Sequence, residues 1–350
     1  MAEVNKYLTI LESAWQEHLA EREPNAPTVI STFAGCGGSS LGYSMAGFRE
    51  LLANEWDDNA VATFKLNFPD VPVIQGDIAK LTVEQVLEIT GLQPGELDVF
   101  DGSPPCQGFS TAGKRIIDDP RNQLFREYVR LLRGLQPKVF VMENVSGMVK
   151  GKMKLIFADI LRELKASGYK VSARLLNAMY FNVPQSRQRL IFIGVREDLG
   201  IEPSHPKAES RPFTFRNACF DLRENNHPED RALGQLLQKV ALVQPDKWEM
   251  DRTKYGAIKG NIAGAIGTKW VGWDRVCMTI IKSEIAMCGT IHPDRERYIS
   301  IPEAKRVFSF PDQFQFLGNR EQSIMRMGNS VPPLFMRSIA RHIRSEILGS

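Results

Sequence analysis

The chain has 350 residues, 43% hydrophobic and 24% charged, with a formal net charge of +3. These values fit two domains, or one large domain with an insertion, and exclude a disordered or fibrous chain. Five cysteines without a CxxC pair, no basic-then-apolar leader and no apolar run of spanning length speak against structural zinc, a disulfide scaffold and a membrane anchor.

A reduced, cytoplasmic setting is the expectation. The weak positive charge permits a nucleic-acid partner without requiring one. In chain order, Tyr7, Leu8, Ile10, Leu11, Ala14, Trp15, His18 and Leu19 recur at helical spacing and predict an amphipathic helix over 5–22, ended by Pro24 and Pro27. Residues 28–33 read as a buried strand that runs into a glycine-rich turn and a helical stretch to Gly47. Strands follow at 50–54, 71–74, 97–100, 138–142, 169–177 and 189–195. Helices are expected at 57–67, 82–90, 121–135 and 152–166. This alternation predicts an α/β fold with a mostly parallel, doubly wound sheet. The pattern breaks near residue 196 and returns near 296, with a last helix from Pro332-Pro333 to about 346. Residues 196–295 therefore read as a smaller domain inserted into a larger one spanning 27–195 and 296–350, behind an N-terminal extension at 1–26.

The turn Phe33-Ala34-Gly35-Cys36-Gly37-Gly38 joins a strand to a helix, and its glycines let the backbone approach a ligand. It is neither GxGxxG nor a GxxxxGK[ST] phosphate loop. The second strand ends in Glu55-Trp56, an acid placed for ribose hydroxyls and an aromatic ring placed for an adenine face. Asp77-Ile78 follows the third strand, where a carboxylate and a backbone N–H could read the adenine edge. The set describes a nucleoside site without phosphate. S-adenosylmethionine fits it, and a nicotinamide dinucleotide fits less well.

Asp101-Gly-Ser-Pro-Pro-Cys-Gln-Gly-Phe-Ser110 is the most constrained stretch. Two prolines exclude Cys106 from a regular helix or central strand. A stiff loop after a strand's carboxyl end is where open α/β sheets bind ligands. Most free cysteines only pack, so the thiol needs support from the rest of the chain.

That support is a resemblance. The stretch around Cys106 resembles the cytosine carbon-5 DNA methyltransferases, and so, in the same order, do the turn at 33–38, Arg121-Asn-Gln-Leu124, Glu143-Asn-Val145, Gln185-Ser-Arg-Gln-Arg189, residues 297–312 and Gly328-Asn-Ser-Val-Pro-Pro333. Residues 1–26 and most of 196–295 fall outside it. The first block lacks the family's frequent leading aspartate, which is Ser31 here, and 297–312 departs at Ser300, Pro302 and Ser309.

The resemblance implies a Rossmann-like methyltransferase domain with an inserted target-recognition domain at 196–295. It implies S-adenosyl-L-methionine as cofactor and S-adenosyl-L-homocysteine as product. The donor would be bound by Phe33–Gly38, Glu55, Trp56, Asp77, Ile78, Ser103, Pro105, Leu124, Asn329, Ser330 and Val331. Cys106 is the implied nucleophile, Glu143 the acid at the base's exocyclic amine and N3, Arg189 the cation at O2, and Arg187 its support. The implied partner is double-stranded DNA, with the target base flipped out of the helix. Gln107, Ser110, Lys114 and Arg115 in the loop after the cysteine are expected DNA contacts. So are Lys269 and Arg275 in a basic, glycine- and tryptophan-rich segment. The protein is expected to act as a monomer without a metal, and the resemblance leaves room for a cognate restriction endonuclease in the same system. Two other readings are an RNA cytosine methyltransferase, whose Cys-Phe-Thr segment is missing here, and a non-catalytic DNA-binding subunit, which the intact cysteine and cofactor turn disfavour.

Overall fold

A computed structural model describes residues 2–105, 123–149, 153–222, 269–282, 290–294 and 297–349. The chain divides into two compact units. One comprises Gln16–Asn177, Gln188–Ala208 and Phe335–Ser350; the other comprises Met1–Trp15, Ala178–Arg187 and Glu209–Leu334. These limits differ from a simple insertion at 196–295, because residues 178–187 and 296–334 group with the middle of the chain.

The first unit is built on strands β1 (Thr28–Thr32), β2 (Arg49–Glu55), β3 (Val73–Gln75), β4 (Val99–Gly102), β5 (Val139–Val145) and β6 (Tyr169–Asn177). After the two-residue β7 (Gln185–Ser186) comes β8 (Gln188–Arg196), which joins the same sheet. The order is β3-β2-β1-β4-β5-β8-β6. The first five strands pair in parallel, and β8 runs antiparallel to both β5 and β6. The mostly parallel, doubly wound sheet is as expected. Its order reverses at β1, so ligand-binding loops should gather at the carboxyl ends of β1 and its neighbours.

The core explains the strand sequences. Every residue of β1 is buried, as a strand covered on both faces requires. Helix Gln123–Leu135 buries Phe125, Tyr128, Val129, Leu131, Leu132 and Leu135, one face of a helical repeat. Tyr128 stacks on Phe100 of β4 with ring centroids 4.9 Å apart. Gly102 must lack a side chain, since a Cβ there would lie 2.6 Å from both Thr32 and Tyr128.

The second unit centres on helix Ile301–Val307. Glu303, fully buried, takes a two-pronged ion pair from Arg297 at 2.7 and 2.9 Å and lies 3.1 Å from His292 Nε2. Within 196–295 the described elements are short: helix Phe215–Cys219 and the two-residue strands Lys269–Trp270, Cys277–Met278 and Thr290–Ile291. The N-terminal helix spans Ala2–Leu19, ending before the expected residue 22. There Arg22 turns back to donate to the carbonyls of His18 and Ser44, both at 2.9 Å. The last helix is regular over Pro333–His342 and finishes as a wider turn, Ile343–Leu348, closed by Gly349 at φ 68°. No described helix is long and apolar enough to cross a membrane.

Candidate active site

Three loops meet where the first unit's sheet reverses. After β1, Phe33, Gly35 and Gly37 all adopt positive φ, at 55°, 58° and 95°. Phenylalanine rarely takes that conformation, so the turn is held by its surroundings. Gly37 caps helix Gly38–Met45, and a Cβ on it would come within 2.4 Å of Phe68.

The end of β2 supplies the hold. The Ala34 N–H donates to the Asn54 carbonyl at 3.1 Å. The Gly35 N–H donates to Glu55 Oε2 at 2.8 Å, and the N–H groups of Trp56 and Asp57 donate to Oε1 at 2.9 and 3.0 Å. Asn54 Nδ2 reaches the carbonyls of Ile74 and Gly76 after β3, at 3.0 and 3.3 Å. Asn54 and Glu55 thus knit the three loops together. An ionised carboxylate accepts at about four positions, so Glu55 keeps capacity on Oε2 for a hydroxyl while acting as a structural tie. Trp56 is 77% exposed, an open aromatic platform. Asp77 is exposed and uses Oδ1 to cap the Ala79 N–H at 3.0 Å, with Ile78 buried beside it. Ser103 and Leu124 are half-buried, and Pro105 is exposed.

These residues fit a nucleoside: a partly occupied acid, a bare ring and a second acid stand at adjacent strand ends. Asn54 was missed as a site residue in the sequence. Its signal is an amide side chain directly before the acid at a strand's end.

At the end of β5, Glu143 and Arg189 form an ion pair, Arg189 Nε to Glu143 Oε1 at 2.7 Å, with both side chains largely buried. Glu143 lies opposite Ile191, and Arg189 is two residues away on the same strand. Strand alternation therefore puts both on one face. The next residue, Asn144, donates from Nδ2 to the Pro104 carbonyl at 3.2 Å and accepts the Val145 N–H at 2.8 Å. Two residues beyond Pro104 stands Cys106. Cys106, Gln107, Ser110, Lys114 and Arg115 lie outside the described residues, and so does the side chain of Lys269. Arg275 is exposed.

Arg187 belongs to the second unit and is buried to 1% exposure. It donates to three carbonyls, Ile280 at 3.0 Å, Gly328 at 2.7 Å and Ser330 at 3.0 Å, and its guanidinium lies 5.3 Å from the Phe308 ring centroid. It braces the Gly328–Val331 segment of its own unit. That segment ends helix Arg320–Asn329, with Asn329 exposed and Ser330 and Val331 buried. Gly328 is packed so closely that a Cβ would lie 2.4 Å from the Lys282 nitrogen. Replacing Arg187 by alanine would strand three buried acceptors at about 1–3 kcal/mol each. The Arg187→Ala protein is expected to melt at least several degrees lower, and an unchanged melting curve would contradict the bracing role.

Strands and helices alternating around this reversed sheet give the Rossmann-like fold of the methyltransferases. The family model described as C-5 cytosine-specific DNA methylase matches residues 27–345. The chain belongs to that family, and the protein is a DNA cytosine-5-methyltransferase. It is 35% identical over 331 residues to the Type II methyltransferase M1.HphI of Haemophilus parahaemolyticus, covering 90% of this chain and 86% of the relative. Identity to M.NgoPII of Neisseria gonorrhoeae is 32% over 349 residues, covering 92% and 97%. Among solved structures, a prophage-encoded E. coli protein described as a DNA modification methyltransferase superposes with a TM-score of 0.72 at 26% identity, covering 93% of this chain and 100% of that one. Spodoptera frugiperda DNMT2, at 18% identity and a TM-score of 0.65, shares the fold.

Proposed function

We propose that the enzyme transfers the methyl group of S-adenosyl-L-methionine to carbon 5 of a cytosine flipped from a specific double-stranded DNA sequence, through a covalent Cys106 adduct at carbon 6. The observation that carries the reading is the end of β5, where an acid–cation pair adjoins the amide that anchors the loop leading to Cys106. When bound, the donor supplies an electrophilic methyl group and leaves as S-adenosyl-L-homocysteine. Glu55 would take its ribose hydroxyls, Trp56 its adenine face, and Asp77 with the Ile78 N–H its adenine edge. The Phe33–Gly38 backbone, Ser103, Pro105, Leu124 and Asn329–Val331 would line the remainder.

Carbon 5 of cytosine is a weak nucleophile. Addition of the Cys106 thiolate to carbon 6 makes the ring an enamine, and one hard step becomes two easier ones. Electron density then builds on N3 and O2. Glu143, in its protonated form when the base is bound, bonds the exocyclic amine and delivers its proton at N3, taking it back when Cys106 is expelled, and Arg189 meets O2. After transfer the proton on carbon 5 passes to water, and the electron pair expels Cys106.

Residues 27–195 with 296–350 form the catalytic domain in this reading, and 196–295 reads the target. Gln107, Ser110, Lys114, Arg115, Lys269 and Arg275 contact DNA. The Type II naming of the relatives supports a restriction–modification role; the reading adds a cognate endonuclease in the same system and a monomeric, cytoplasmic enzyme. Bisulfite sequencing of plasmid from cells expressing the protein is the test. Protected cytosines at one short recurring sequence are expected; full conversion everywhere would remove the activity.

A further inference from the structure

Two carboxyl groups lie inside the first unit and take no part in the chemistry above. Asp101 on β4 is 3% exposed and accepts a hydrogen bond from the Tyr43 hydroxyl at 3.2 Å. The Glu50 carboxyl on β2 accepts from the Ser40 hydroxyl at 2.9 Å, and its second oxygen is buried without a well-formed partner. Between them runs β1, whose Ser31 is the register partner of Asp101. Ser31 is close enough to favour the charged form of Glu50, yet its buried hydroxyl makes no well-aligned bond. Ser40 and Tyr43 both belong to helix Gly38–Met45, which begins at the glycine turn of the donor cradle. So the helix behind the cradle is fastened to the sheet through two acids.

Burial, above all, pushes Glu50 up to about 7, against partial relief from Ser31 and Ser40. Burial likewise raises Asp101 well above the ordinary carboxylate range, with Glu50 adding to it and the Tyr43 bond opposing it. The titratable groups facing the pair are Tyr43, Tyr128 and Glu143, and the Ser39 hydroxyl also favours the charged form of Asp101. An acid raised in the folded state contributes fully below its unfolded value. That contribution is lost as pH rises through its folded value, here about 7 for Glu50.

We propose that Glu50 and Asp101 are positioning residues for the methyl donor: through Ser40 and Tyr43 they hold the Gly38–Met45 helix on β2 and β4, and the cradle is at full strength only while Glu50 carries a proton. This rests on the donor reading given above. Glu50 as a residue is half-buried but its second carboxyl oxygen is enclosed, so deprotonation places a charge without a cation partner among the described residues near Asp101, and the cheapest relief is to loosen the helix and hydrate the acid.

The test is calorimetric titration of the full chain with S-adenosylhomocysteine from about pH 6 to about pH 9. Wild-type affinity is expected to fall about tenfold by the upper end. Glu50→Gln keeps the shape and cannot ionise, so its profile should be flat over the same range. The wild-type profile stands without any variant, and a flat one overturns the proposal. So does a Glu50→Gln profile as steep as wild type. Binding at every pH with no slope would sink this inference alone, whereas no binding at any pH would sink the donor reading with it.

Discussion

Replacing Cys106 by serine should lower methyl transfer by more than about 10⁴-fold, the scale on which enzymes lose turnover when a covalent nucleophile is removed. A serine hydroxyl is not ionised near neutral pH and adds poorly to a pyrimidine, whereas a thiol a few units from its pKa supplies a usable thiolate fraction. The donor cradle is built from the ends of β1, β2 and β3, so S-adenosylhomocysteine binding should change by less than about twofold. Labelled-methyl incorporation into DNA and calorimetry separate the two quantities. DNA carrying 5-fluorocytosine at the target adds a positive readout. Fluorine cannot leave as a proton, so the wild type should stay bonded to DNA on a denaturing gel and Cys106→Ser should not. Turnover retained by the serine variant would take Cys106 out of its role.

Glu143→Gln should cost about 10²–10⁴-fold in turnover, the usual contribution of a positioned proton donor. The same carboxyl also partners Arg189 at 2.7 Å, so lost chemistry must be separated from lost structure. Glutamine keeps an oxygen that accepts from the guanidinium, and the stability change should be about 1 kcal/mol. Removing one member of a buried pair outright costs about 3–5 kcal/mol, so Arg189→Ala should fall further in melting temperature than Glu143→Gln. If Glu143→Gln turns over at the wild-type rate, the acid only orders Arg189.

Much of this was readable from residue order. Short apolar runs placed the central strands, because strands covered on both faces show as continuous Val, Ile, Leu and Phe, whereas the edge strand Tyr169–Asn177 is largely half-buried and mixes Lys, Ser and Arg into its run. The acids at 55 and 77 were found because a polar residue at or just past the end of such a run sits at the ligand end of a parallel strand, whereas the role of Glu143 came from the resemblance. Arg187 and Arg189 were harder. Two residues apart on a strand they should share a face, but the chain is interrupted between β7 and β8. Arg187 turns to the carbonyls of Ile280, Gly328 and Ser330, and Arg189 pairs with Glu143. No local pattern announces that break. Glu50 and Asp101 were invisible for a related reason. An acid within or just after an apolar run reads as a strand end, and its burial depends on what the neighbouring strands and helix place over it. Glu55 shows a third limit: its position was legible, and Trp56 and Asp57 donate to it from the next two residues, but its tie to the Gly35 N–H joins a loop brought to it only by folding.

The direction of β8 decides what its first residues can do. In the parallel part of the sheet, a strand's beginning lies at the edge remote from ligands, so its opening residues are free to drift. Because β8 runs the other way, Arg189 at its start lies opposite Val145 at the end of β5. The strand is therefore threaded working end first, and its reach is set by the residues that precede it. One residue inserted or deleted between Ser186 and Arg189 would turn the guanidinium to the opposite face of the sheet, even with every catalytic residue type intact. The spacing of Gln185-Ser-Arg-Gln-Arg189 is thus a ruler as much as a set of side chains, and it should tolerate changes of letter at Gln188 far better than changes of length.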